Sequence, residues 1–163
     1  MKLFHTGVIV DDLEVAMRTW GVALGLHWAP PKTATTPMSC PQGVLPREVR
    51  FTYSVEGPHH IELLEQVDAT PYLALTGGRH IHHLGYFTAD LVGQSQRLEQ
   101  LGFPCELSGV IADGLRNRAT FHRNPLAPGM WIELVDRSVA DDIDPWMAAS
   151  ARHHGVAYRS PFT

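Results

Sequence analysis

Cysteine is nearly absent: Cys40 and Cys105 are the two thiols in 163 residues. Two distant thiols make neither a disulfide framework nor a zinc motif. No apolar run reaches the length needed to cross a bilayer, and the chain enters a strand pattern at once, without the opening of a signal peptide. A cytoplasmic protein with no membrane partner is expected. Basic charge is short as well. Lys and Arg number 13 against 17 Asp and Glu, for a net charge of −4. That leaves no basic footprint for nucleic acid. The remainder is ordinary, with 44% hydrophobic and 18% charged residues in a length that suits one compact domain or two small fused modules. Histidine is the one oddity, with ten copies, many of them paired.

Two stretches repeat one another. Leu3-Phe4-His5-Thr6-Gly7 through Asp12-Leu13 matches Ile81-His82-His83-Leu84-Gly85 through Asp90-Leu91. His5 falls on His83, Gly7 on Gly85 and Asp12 on Asp90. Each copy reads as a strand running into a helix capped by aspartate. Each is followed later by a strand carrying Ile-Glu-Leu, at Ile61-Glu62-Leu63 and Ile132-Glu133-Leu134.

In the first module, 3–67, the pattern predicts a strand over Leu3–Val10 and a helix from Asp11 or Asp12 to a C-cap at Gly25. A short strand over Leu26–Ala29 follows, then a long Thr/Pro/Ser-rich loop over Lys32–Pro46. Strands over Glu48–Val55 and His59–Val67 complete a βαβββ unit, and 68–80 is a connector. The second module, 81–136, repeats the order with strands over Ile81–Thr88, Phe103–Val110, Arg116–His122 and Met130–Val135. Its helix runs from Asp90 to Leu101. Residues 138–163 form a C-terminal piece with a short helix around Asp144–Ala149 and a tail in which His153 and His154 are solvated. The class is α+β, with two tandem βαβββ modules forming a curved mixed sheet around a cleft.

A carboxylate at the centre of an apolar strand is costly to bury without a partner. That anomaly occurs twice, each time in step with the His that opens its repeat. One divalent ion bound by His5, Glu62, His83 and Glu133 would satisfy all four groups. Two imidazoles and two carboxylates suit Zn, Ni, Co, Mn or Fe and leave positions for water or substrate.

Together, these motifs resemble the vicinal-oxygen-chelate superfamily, the group of glyoxalase I, methylmalonyl-CoA epimerase, extradiol dioxygenases and bleomycin-resistance proteins. The resemblance covers residues 3–136 and implies paired modules around one metal. An extradiol dioxygenase would need His5, His83 and Glu133 alone. A carboxylate at Glu62 is similar to the four-ligand pattern of glyoxalase I and, with Gln in its place, of the epimerase. The Arg that glyoxalase I uses for glutathione has no counterpart in Val8-Ile9-Val10. Asn117-Arg118 with Phe121, Pro125, Gly129 and Ile132-Glu133-Leu134 looks more like the end of an epimerase, as does Gln42-Gly43-Val44.

The resemblance implies proton abstraction beside a carbonyl and a metal-stabilised enolate, on a small-molecule substrate. Strand alternation puts Glu48, Arg50 and Thr52 on one face, taken as the cleft because Val49 and Phe51 are expected to pack under the helix. Glu48 is then the candidate base and Glu133 the alternative. His60, Arg118, Thr120, His122 and Trp131 complete the expected cleft. His59, His80 and His82 flank the ligands and point away. A glyoxalase-type lyase, an extradiol-type dioxygenase and a metal-free binding or resistance protein are the alternatives; a homodimer is compatible with the modules.

Overall fold

A computed structural model describes residues 1–66, 81–111 and 113–162 of the chain. The connector 68–80, which includes His80, lies outside the described residues together with Val67. Module one contains β1 (Lys2–Val10), α1 (Leu13–Leu24), β2 (Lys32–Cys40), β3 (Gly43–Tyr53) and β4 (His60–Gln66). Module two contains β5 (Ile81–Thr88), α2 (Leu91–Gln100), β6 (Cys105–Val110), β7 (Arg116–Arg123) and β8 (Trp131–Asp136). The C-terminal helix α3 (Ala140–His154) follows a 3-10 turn over Arg137–Val139.

The strands close into a barrel in the order β1-β4-β3-β2-β6-β7-β8-β5. Each module contributes four neighbours in the same internal order, so the repeat in sequence is a repeat in space. The modules meet where β1 runs antiparallel to β5 and where β2 touches β6 at Met38–Ser39 and Ser108–Gly109. Aspartates cap the helices as their position before the apolar periodicity implies: Asp12 accepts from the Val15 N–H and Asp90 from the Gly93 N–H. Gly25, at φ 68°, ends α1 in the left-handed conformation that glycine adopts without a Cβ penalty.

Two expectations in module one are corrected. Lys32–Cys40 is a strand rather than a loop, paired residue for residue with β3 from Lys32↔Phe51 to Cys40↔Gly43. Its inward residues Ala34, Thr36 and Met38 face a cavity, so it carries no strong apolar alternation. Leu26–Ala29 in turn makes a single bridge, Trp28↔Ser54, because β3 already has β2 and β4 as neighbours.

Outside the barrel, α1 packs Leu13 against Val8, Trp28 and Leu63, while α2 packs Leu91 and Leu98 on Leu134. The C-terminal helix is longer than expected and belongs to the core. Its Ile143, Met147 and Ala151 pack with Phe4, Tyr53, Val55, Phe87 and Val135. His154, in its last turn, reaches the Trp28 carbonyl at 3.2 Å rather than standing only in solvent.

Candidate metal centre

The junction of β1 and β5 builds the site. Their register sets His5 opposite Gly85 and Gly7 opposite His83. The parallel neighbours add the carboxylates, because β4 places Glu62 beside Gly7 and β8 places Glu133 beside Gly85. Each imidazole therefore lies over the glycine of the other module. A Cβ on Gly7 would stand 2.0 Å from His83 Cε1, and one on Gly85 would stand 2.1 Å from His5 Cε1. The glycine of each His-x-Gly motif is thus the seat of the opposite imidazole.

His5, Glu62, His83 and Glu133 are all buried, and their ligand atoms lie within 4.8 Å of one another. His5 Nε2 is 2.8 Å from His83 Nε2, 3.3 Å from Glu62 Oε2 and 2.9 Å from Glu133 Oε2. His83 Nε2 is 3.1 Å from Glu62 Oε2 and 3.2 Å from Glu133 Oε2. Donors about 2.0–2.2 Å from a common ion stand about 3 Å apart, so this spacing fits a single divalent cation. Hydrogen bonding accounts for the cluster less well. Glu133 Oε2 meets neither nearby imidazole in hydrogen-bond geometry, and at most one proton fits between the two Nε2 atoms.

Electrostatics point the same way. Burial disfavours the charge on every member, but the opposite charges outweigh it. Burial pulls His83 down, while the negative charges of Glu133 and Glu62 hold it up at about 10. His5 is raised against the same burial by Glu62 and Glu133. Burial pushes Glu133 up, and His83 and His5 bring it down to about 2; Glu62 is lowered by the same pair. The two carboxylates thus favour positive charge at the imidazoles, the charge that a cation bound there would supply. A neighbouring ring fixes one ligand: His83 Nδ1 lies 2.9 Å from His82 Nδ1, so a proton held there leaves Nε2 free to ligate. His82 reaches its neighbour despite strand alternation, and its ring stacks on Trp131 at 6.0 Å. His59 does point away, toward Thr6 Oγ1 at 3.0 Å.

The centre opens into a cavity of about 170 Å³ inside the barrel, comparable with the roughly 150 Å³ voids that hold one benzene. Glu62, Glu133 and Tyr53 line its polar end, Phe51, Leu64, Phe121 and Val135 its walls, and Val139 and Ile143 of the C-terminal piece its cover. Tyr53 is buried beside Glu62; burial and then the charges of Glu62 and Glu133 push its hydroxyl well above the ordinary value.

The cleft faces differ from expectation on two strands. On β3 the residues that line the cavity are Arg47, Val49, Phe51 and Tyr53. Glu48 is exposed on the opposite face. Arg50 pairs there with Glu14 of α1 and with Glu65, and the Thr52 hydroxyl donates to the Ala29 carbonyl. Apolar side chains turned out to wall a cleft rather than to pack beneath a helix, so Glu48, Arg50 and Thr52 leave the site. On β7, Ala119 and Phe121 face the cavity. Thr120 and His122 lie under α2, where His122 meets Ser95 Oγ at 3.0 Å and the Phe103 carbonyl at 2.9 Å. His60 is fully buried behind the site, its Nδ1 2.7 Å from the Ser54 carbonyl. Trp131 packs against the Met38–Leu107–Phe121 cluster behind the wall. Arg118 lines the cavity. Arg47 and Tyr53 were missed, because register with Glu62, which identifies Tyr53, cannot be read from one strand.

The sequence model described as the Glyoxalase/Bleomycin resistance protein/Dioxygenase superfamily matches residues 4–121. None of the curated proteins matches the chain. Among solved structures, methylmalonyl-CoA epimerase from Mycobacterium tuberculosis is similar at 22% identity, over 83% of this chain and 87% of that one, with a TM-score of 0.60. A Streptomyces coelicolor methylmalonyl-CoA epimerase variant in complex with 2-nitronate-propionyl-CoA is similar at 18% identity, over 83% and 96%, with a TM-score of 0.61. A hypothetical protein from Bacillus halodurans is similar at 22% identity, over 83% and 93%, with a TM-score of 0.56. At these identities the likeness is one of fold. With paired βαβββ modules and a family match over most of its length, the chain belongs to the glyoxalase/bleomycin resistance protein/dioxygenase superfamily.

Proposed function

We propose that this protein is a metal-dependent isomerase or epimerase of a small carbonyl compound, acting by proton abstraction beside the carbonyl. The observation that carries this reading is the buried His5–Glu62–His83–Glu133 quartet opening onto one apolar cavity. A divalent ion held by these four residues would supply the Lewis acidity that stabilises an enolate. The epimerases among the structural neighbours support this branch. So does Glu62, a fourth ligand that an extradiol dioxygenase would not need.

The chain's own groups supply the rest. Glu133 is a carboxylate facing the cavity and, once released from the metal, is the base in this reading, in place of the exposed Glu48. Tyr53, beside Glu62, is positioned to donate a hydrogen bond into the polar end. Phe51, Leu64, Phe121 and Val135 exclude water from the reacting carbon.

Metal analysis and solvent exchange test this together. The purified chain should bind about one divalent ion, and His5→Ala with His83→Ala should abolish that binding. The metal-loaded chain should exchange the α-hydrogen of chiral α-substituted carbonyl compounds with solvent deuterium. Glu133→Gln, which keeps an oxygen donor, should slow exchange by about 10²–10⁴-fold. A double variant that binds metal as tightly as the parent refutes the centre; undiminished exchange in Glu133→Gln refutes the base.

A further inference from the structure

Arg118 breaks the alternation of its own strand. Ala119 and Phe121 face the cavity, while Arg116, Thr120 and His122 face α2. Alternation would send Arg118 to the α2 side, yet it lines the cavity. The cause is local. Arg118 has φ 63°, the sole positive φ of a non-glycine residue among the described residues. The β6–β7 ladder shifts register between Ser108 and Val110, and the backbone there closes so tightly that a Cβ on Gly109 would stand 2.1 Å from the Asn117 carbonyl oxygen. This irregularity re-aims one side chain, as bulges beside functional sites do.

The visible partner of Arg118 does not explain that backbone. Its Nη2 is 3.3 Å from Asp142 Oδ2 on α3, with both side chains largely exposed. Such a pair adds little to folding stability, whereas the left-handed conformation is unfavourable for arginine. A guanidinium brought to a cavity mouth by strained backbone is placed to receive a planar anion. A second guanidinium, the buried Arg47, lines the same apolar cavity farther along β3.

We propose that Arg118 is a substrate-recognition residue that selects molecules with an anionic end remote from the reacting carbonyl, and that Asp142 holds its place when no substrate is bound. The inference rests on the metal reading for the position of the reacting end. It adds a length and a charge to the substrate. Phe121 is the register partner of Glu133, and three residues of strand put Arg118 about 10 Å farther on. The preferred ligand has a metal-binding carbonyl head, an apolar body and a carboxylate or phosphate tail about that far away.

The probe is an eight-carbon hydroxamic acid ending in a carboxylate, compared with its methyl ester and with the phosphonate of equal length. Binding is measured by calorimetry on the zinc-loaded full chain. The acid should bind about 10–100-fold more tightly than the ester, the range of a charge-assisted hydrogen-bonded pair. Arg118→Gln should erase that preference while leaving zinc content and ester affinity unchanged. Arg118→Asn, whose side chain tolerates the left-handed backbone, should do the same if the glutamine variant folds poorly. Asp142→Asn should tighten the acid and not the ester. Preference for the phosphonate over the carboxylate identifies a phosphate-type tail, and the reverse a carboxylate. Equal binding of acid and ester by the parent, binding of neither, or a preference that survives in both Arg118 variants overturns the proposal. Failure of the chain to bind zinc refutes the metal reading separately, and the acid–ester comparison on the metal-free chain then decides Arg118 alone.

Discussion

Replacing Gly85 by alanine is a sharp test of how the centre is built. Neither Gly7 nor Gly85 has a positive φ, so the backbone gives alanine no reason to be disfavoured. Where space allows, such a change stabilises a fold by about 0.4–1 kcal/mol, through the unfolded chain. Space does not allow it here. The new methyl carbon would stand 2.1 Å from His5 Cε1, where ordinary contact begins at 3.4 Å. The ring must retreat by more than about 1 Å, or the strands must part, and forced overpacking of this kind costs about 1–3 kcal/mol. His5 is fully buried, edge-on to Phe4 at 4.6 Å and to Tyr53 at 5.3 Å, so two aromatic rings oppose its retreat. Ligand–metal distances in sound sites keep within about 0.2 Å of their usual values, far less than this shift. The affinity loss should therefore reach at least the roughly 10–100-fold seen when only an outer partner is removed.

The assay is a competitive zinc titration beside urea unfolding, for Gly85→Ala, His5→Ala and the double variant, all metal-free in the unfolding arm. If the clash is with the ring, Gly85→Ala should cost about 1–3 kcal/mol in the parent and nothing in the His5→Ala background. Parent-like zinc affinity in Gly85→Ala, or an equal stability cost in both backgrounds, would show that the glycines serve some purpose other than seating the opposite imidazole. Gly7→Ala should behave in the same way toward His83.

Further expectations concern pH, the C-terminal helix and Glu48. In the metal-free chain, His83 is raised from 6.5 to about 10, so its contribution is complete below about pH 6.5 and is lost as pH rises through about 10. Glu133 is lowered from 4.5 to about 2, so its contribution is complete above about pH 4.5 and is lost as pH falls through about 2. The quartet's contribution to the thermal midpoint should therefore be largest between about pH 4.5 and 6.5, a window that shrinks in the His83→Ala, Glu133→Ala double variant, where His5 and Glu62 remain paired. Met147 is fully buried in the cluster that α3 shares with the barrel, so Met147→Ala should cost about 2–5 kcal/mol in urea unfolding; a near-neutral result would make α3 an appendage. Glu48→Gln should leave zinc affinity and deuterium exchange at parent levels, and a marked loss in either would return Glu48 to the site.

The elements that carry the repeat were legible because each signal in them is local. Asp12 and Asp90 mark helix starts by chemistry that acts within one turn. The two Ile-Glu-Leu strands mark themselves by an isolated carboxylate in apolar surroundings. From these, the four candidate ligands and the pairing of modules follow. β2 was illegible for a physical reason: its inward side chains Ala34, Thr36 and Met38 look into a cavity instead of a filled core. The hydrophobic alternation that announces a half-buried strand is weak there.

The misassigned face of β3 has a different origin. A period of two says which residues share a face, never which face is which. Val49, Phe51 and Tyr53 are apolar enough to suit the underside of a helix, yet they wall the cavity. The deciding fact is the cross-strand pair Tyr53↔Glu62. Directly paired residues point to the same side of a sheet, so once Glu62 is a ligand, Tyr53, Phe51 and Val49 line the site and Glu48, Arg50 and Thr52 cannot. The same reasoning runs through Phe121↔Glu133: it brings Phe121 and Ala119 inward and sends Thr120 and His122 beneath α2. Arg118 alone escapes it, because its backbone leaves the strand conformation on which the rule depends. A residue that breaks the alternation at such a backbone cost, and ends in the cavity, is better explained by what the cavity binds than by what holds the barrel together.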